Sequence, residues 1–200
     1  MAAPVMPVLP ALLALHYQND VVHPQGRIRV GLGEGDSARV ALTEAAGRLL
    51  AGARQKGWTI VHVRIAFRPD YADCPRNTPI FRKTIELGAA RDGDWGSEFF
   101  EALAPVPGPD EFVFTHNRIS AFVGTAIEPL LRLRGVQQLV VAGVATHSVV
   151  ENTVRDAADR GFDVRVAADA CAAAAPGAHE AALRAMALVA AIGDVSEALL

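Results

Sequence analysis

Short apolar runs alternate along the chain with stretches whose apolar residues recur at helical spacing, a rhythm that predicts βαβ units. The run ALLAL (11–15) reads as a first strand, bare of charge as expected where both faces are covered. Residues 38–58 read as an amphipathic helix with Gly57 near its stop, and TIVHVRIAF (59–67) as a second strand. From 68 to about 110 the chain turns irregular and rich in Pro, Gly and Asp, with one short helix expected around 97–103. EFVFT (111–115) predicts a third strand, 125–135 a helix, QQLVVAGV (137–144) a fourth strand and 149–161 its helix. DVRVAAD (163–169) follows as a fifth strand, then a last helix over 179–190 and a strand-like AIGDV (191–195).

This order predicts an α/β fold, a three-layer α/β/α sandwich around a mostly parallel sheet. Ligands of such sheets sit beyond the carboxyl ends of the strands, so the residues just after Leu15, Phe114 and Val144 are the first candidates for a site.

Composition narrows the partners. The 200 residues fit one domain, 1–200, with 51% hydrophobic and 20% charged positions. A net charge of −3 gives no broad electrostatic reason to bind nucleic acid or an anionic membrane, which leaves a small molecule as the expected partner. The apolar N-terminus raises the question of a signal peptide. It lacks a basic n-region, carries prolines and ends its apolar run at His16, so a buried strand and a cytoplasmic protein are expected. Cys74 and Cys171 cannot build a disulfide framework or a metal knuckle alone. GLGEG (31–35) has no following Gly-Lys-Ser/Thr and reads as a loop, not a phosphate cradle. Arg68, Arg76, Arg82 and Lys83 could meet an anionic substrate but read better as a solvated loop face.

Three predicted strand ends carry a histidine at or beside them: His16, His116 and His147. Imidazole can donate, accept or bind a metal near neutral pH, so their convergence would permit acid–base chemistry or metal binding. Spacing alone does not establish convergence. His62 lies inside the second strand and is expected to be a core or interface residue.

Three segments resemble the isochorismatase-like (cysteine hydrolase) family. ALLALHYQNDVV is similar to its opening strand, NRISAFVGTAIEPLLR to its Arg-x-Ser-Ala-Phe-x-Gly-Thr segment, and LVVAGVATHSVVENTVRDAADRGFDVRVAADACAA to its nucleophile loop and helix. The resemblance implies a six-stranded, Rossmann-like sheet that binds no dinucleotide, hydrolysis of small amide, ureido or vinyl-ether compounds, and a homo-oligomer, dimer or tetramer. It implies a cis peptide ahead of Ala145 and oxyanion donors at Ala145 and Val149. The family's catalytic aspartate, lysine and cysteine correspond here to His16, His116 and Val149, so the whole triad is substituted.

Four readings follow from that substitution. The chain is a hydrolase without a thiol, His16 supplying an acid or base and His147 standing where one branch of the family carries a histidine. Or His16, His116 and His147 hold a divalent metal such as Zn²⁺, whose bound hydroxide replaces the thiolate, although otherwise no cofactor is expected. Or the chain is catalytically inactive and serves as a ligand-binding or assembly subunit. Ser148, a displaced nucleophile beside Val149, ranks last, because a serine at a helix start is more often a cap.

Overall fold

The computed structural model describes residues 9–29, 37–173 and 176–200; the GLGEG loop lies outside them. Six strands form one sheet: β1 (Leu9–Leu15), β2 (Thr59–Ile65), β3 (Glu111–His116), β4 (Val136–Val144), β5 (Asp163–Ala172) and β6 (Ala191–Gly193). Their order is β3-β2-β1-β4-β5-β6, and every pairing is parallel. The strand order reverses between β1 and β4, and a crevice opens at that switch point beyond the strand ends. Leu12, Leu13 and Leu15 of β1 and Leu139, Val140 and Val141 of β4 are wholly buried, which explains why these central strands carry no charge.

The connecting helices are α1 (Asn19–Val22), α2 (Ser37–Gln55), α3 (Pro79–Leu87), α4 (Ile127–Leu133), α5 (Glu151–Asp159), α6 (Pro176–Met186) and α7 (Val195–Ala198). They cover both sides of the sheet, and α2 buries the stripe Leu42, Ala45, Ala46, Leu49, Leu50 and Ala53. No helix among the described residues is long and apolar enough to cross a membrane.

Two departures from the predicted elements bear on the site. The irregular section contains α3, which buries Phe81 and Thr84, with Phe81 packed among Phe67, Tyr71, Cys74 and Ala90. Pro79 opens it and Gly88 ends it at φ 62, the left-handed conformation glycine adopts without penalty. Its surroundings of Pro, Gly and Asp hid a helix only nine residues long. Second, α5 does not begin at 149, because a π turn over Thr146–Val150 precedes it.

The polar residues just after β1 organise the irregular section. Gln18 donates to the Ile65 and Ser97 carbonyls at 3.0 and 2.9 Å, and its oxygen accepts from Ile65 N–H at 2.8 Å. Asn19 donates to the Trp95 carbonyl, and the buried Asp20 carboxylate accepts from Ala90 N–H at 2.7 Å and Arg27 N–H at 3.1 Å. A Cβ on Gly96 would lie 2.3 Å from that carboxylate, so glycine is required for the loop to close on Asp20. Gln18, Asn19 and Asp20 are therefore loop anchors, and of this cluster only His16 lines the crevice.

Candidate active site

His16 directly follows β1 in the left-handed backbone region, φ 58, sparsely populated by residues other than glycine. Its N–H still donates to the Val63 carbonyl at 2.9 Å, so the chain turns out of the sheet only after that last ladder bond. On the other side β4 approaches closely. A Cβ on Gly143 would stand 2.2 Å from the Leu15 carbonyl oxygen, and Gly143 has φ 147, so only glycine fits beside the residue that precedes His16.

His116, the last residue of β3, reaches His16 across the end of β2. The two Nε2 atoms are 2.5 Å apart, and the side chains are buried, with residue exposures of 7% for His16 and 4% for His116. The proton positions follow from the partners. His116 Nδ1 lies 3.2 Å from the Ser120 carbonyl oxygen, which can only accept, so Nδ1 carries the proton and Nε2 is bare. His16 Nε2–H fills that lone pair, which leaves Nδ1 as the unprotonated nitrogen of neutral His16.

Both rings are neutral near pH 7. Burial lowers the His16 pKa well below 6.5, the adjacent His116 adds to the effect, and the nearby Val144 carbonyl, which favours the protonated ring, opposes it. Burial brings His116 down to about 4, against a smaller opposing effect of the Ser120 carbonyl. Of the acid and base roles expected of His16, the resting ring suits the base, because a desolvated pair without a carboxylate partner disfavours the charged form.

His16 forms one wall of an apolar cavity of about 230 Å³. Val21, Ile28, Ile65, Ile80, Phe81, Ile119 and Val144 supply most of the lining, with Ala145, His147, Ser148 and Val149 from the turn after β4. The peptide between Val144 and Ala145 is cis, as the resemblance implied. Val149 is 2% exposed, and its side chain offers no nucleophile. Thr146 ties this turn to α6 through a 2.8 Å contact between its hydroxyl and His179 Nδ1.

The three histidines that could hold a metal are not grouped in this structure. Among the described residues no three His, Cys, Asp or Glu side chains are grouped to hold a metal ion. His147 lines the cavity from an exposed position on the π turn, and the Nε2 atoms of His16 and His116 face each other instead of a shared centre. Ser148 lines the cavity as well, but no hydrogen bond joins its hydroxyl to a histidine among the described residues.

The cations expected at the loop face stay there. Arg68 pairs with Asp70, Lys83 with Glu86, and Arg82 donates to the Arg76 carbonyl. The cavity instead takes Arg29 and Arg118. Arg118 was readable in the NRISAF segment; Arg29 carried no signal, since it lies in a loop without a motif. Neither thiol is available: Cys74 and Cys171 are buried and free, and burial pushes Cys171 up to about 12.

Comparison with known proteins agrees with this architecture. Residues 10–197 match the isochorismatase domain. The ureidoacrylate amidohydrolase RutB of Methylorubrum extorquens is 34% identical over 161 residues, covering 74% of this chain and 64% of that protein. The maleamate amidohydrolase of Pseudomonas putida is 35% identical over 127 residues, covering 62% of this chain and 56% of that protein. The match thus spans less than two thirds of either relative's length. A crystal structure of an isochorismatase family protein from Desulfovibrio vulgaris superimposes with a TM-score of 0.84 at 32% identity, covering 95% of this chain and 96% of that one.

Proposed function

The chain belongs to the isochorismatase family, and from that premise we propose that it hydrolyses a small amide or ureido compound without using a thiol. The observation that carries this reading is the neutral His16–His116 pair, of which His16 lines the apolar cavity. The substrate class is supported by the relatives named for ureidoacrylate and maleamate amidohydrolysis.

In this mechanism His16 is the general base. It takes a proton from water on Nδ1, the nitrogen that His116 leaves free, while the hydroxide formed adds to the amide carbon. The Val144 carbonyl favours the protonated ring, so the nascent imidazolium is not wholly unsupported. Backbone N–H groups at Ala145 and Val149 face the developing oxyanion, the role the family resemblance assigns them. The imidazolium then returns its proton to the departing nitrogen, so that acid and amine leave and His16 is neutral again. His116 acts by position: its Nδ1–H on Ser120 fixes the tautomer that makes His16 basic.

A second reading, ligand binding without turnover, is favoured by one feature: both Nε2 atoms are already engaged with each other. Turnover separates the two. Wild type and a Cys74→Ser, Cys171→Ser variant are assayed for release of ammonia from maleamate and from short carbamoyl acids. Equal turnover in both supports the thiol-free hydrolase. Activity that vanishes in the folded double variant restores a thiol mechanism, and no turnover by either protein leaves the binding subunit.

A further inference from the structure

We propose that the cavity selects a small organic anion, with Arg29 and Arg118 holding its carboxylate while the carbonyl to be attacked lies against His16. The placement of that carbonyl rests on the hydrolase reading above; the selection of an anion does not.

The argument is one of uncompensated charge. Most of the cavity wall is aliphatic or aromatic, and among the described residues no aspartate or glutamate contributes to it. Two arginines do, and neither has a carboxylate partner among the described residues. Arg118 donates to the carbonyl and the side-chain oxygen of Asn117, both at 2.8 Å, and Arg29 makes a long 3.4 Å contact with the Pro24 carbonyl. Many guanidinium groups elsewhere are matched by a carboxylate, among them Arg54 with Glu111, Arg64 with Asp92, Arg155 with Glu151 and Arg160 with Asp156. The one buried titratable group on the wall, His16, is uncharged near neutrality and cannot cancel the two cations.

Such a cavity attracts anions by the field of its two guanidinium groups, and guanidinium offers paired donors that suit a carboxylate. The apolar lining that the arginines share with His16 suits the carbon skeleton joining the carboxylate to the carbonyl. A neutral amide gains only the apolar contacts. A cationic ligand meets two like charges and, among the described residues, no acid.

The test measures binding, in a His16→Gln background so that hydrolysis does not consume the ligand. Calorimetry compares maleamate with maleamide, and succinamate with succinamide, pairs that differ only in carboxylate against neutral amide. The expected result is that each anion binds at least about tenfold tighter than its diamide, as for a charge-assisted hydrogen bond. In Arg29→Gln, Arg118→Gln that preference falls to parity, and in Arg29→Lys, Arg118→Lys part of it returns. Equal binding of anion and diamide, a preference that survives the glutamine variant, or no binding by any of the four compounds overturns the proposal. Ammonia release by the unmodified protein reports on the hydrolase reading separately, so either can fail while the other stands.

Discussion

Two sets of buried histidines lie on neighbouring strands of the same sheet, and their surroundings differ. His62, inside β2 and wholly buried, places Nε2 2.8 Å from the Glu111 carboxylate, which in turn takes Arg54 at 2.6 Å. Glu111 is held at about 2 despite burial, because Arg54, the Val106 N–H and His62 all favour its ionised form. His16 and His116 have no such counter-charge; each has the other ring and a backbone carbonyl. Only His16 of these three lines the apolar cavity. Burial alone therefore does not mark a functional histidine. An ion network fixes His62 as part of the scaffold, whereas the pair without a carboxylate keeps a proton acceptor at a ligand-sized space.

The comparison breaks most sharply at His16. Replacing it with Gln keeps a polar side chain but removes the base, and turnover is expected to fall about 100- to 10,000-fold, the usual worth of a general base, with little change in melting temperature. Steady-state kinetics beside calorimetric melting checks this. The reverse pattern is expected at the other site. Glu111→Gln strips the carboxylate from Arg54 and His62 and is expected to cost roughly 3 kcal/mol in denaturant titration while leaving the pH profile of turnover in place.

Acid sharpens the distinction further. His16, His116 and His62 all have folded pKa values below 6.5, so as pH falls from 6.5 the unfolded chain binds protons that the folded chain refuses. Stability is thus full above 6.5 and declines toward 4, with His116 alone contributing on the order of 3 kcal/mol across that window. Urea denaturation over this range is expected to show the decline, and His116→Gln to flatten it. The smallest effect is expected at Val149. Val149→Cys conserves volume approximately, so stability is expected to change by under about 1.5 kcal/mol. It restores a thiol without the carboxylate and amine that the resemblance places beside it, and turnover by the unalkylated variant is expected to match that of the unmodified protein.

Much of this was legible in the sequence. The uncharged runs of β1 and β4 predict central parallel strands, and those strands stand at the middle of the sheet. His16, His116, Ala145, Ser148 and Val149 were readable because strand ends and a family motif locate them, although the functional role of each is a proposal. The meeting of His16 and His116 was not readable, since it depends on strand order bringing β3 beside β2 and on the left-handed turn at His16. Nor was the separation of His147, whose place on a π turn is set by one extra residue in the helix entry. The α3 wall was hidden because its apolar face is short and packs on a local cluster of loop aromatics.

The central claim is that a neutral His16 activates water, and the pH dependence of kcat/KM for amide hydrolysis tests it most directly. The account predicts a plateau at and above neutrality that falls as acid protonates a group whose pKa lies below 6.5, with both limb and plateau lost in His16→Gln. The same plateau and limb persisting in His16→Gln would contradict it.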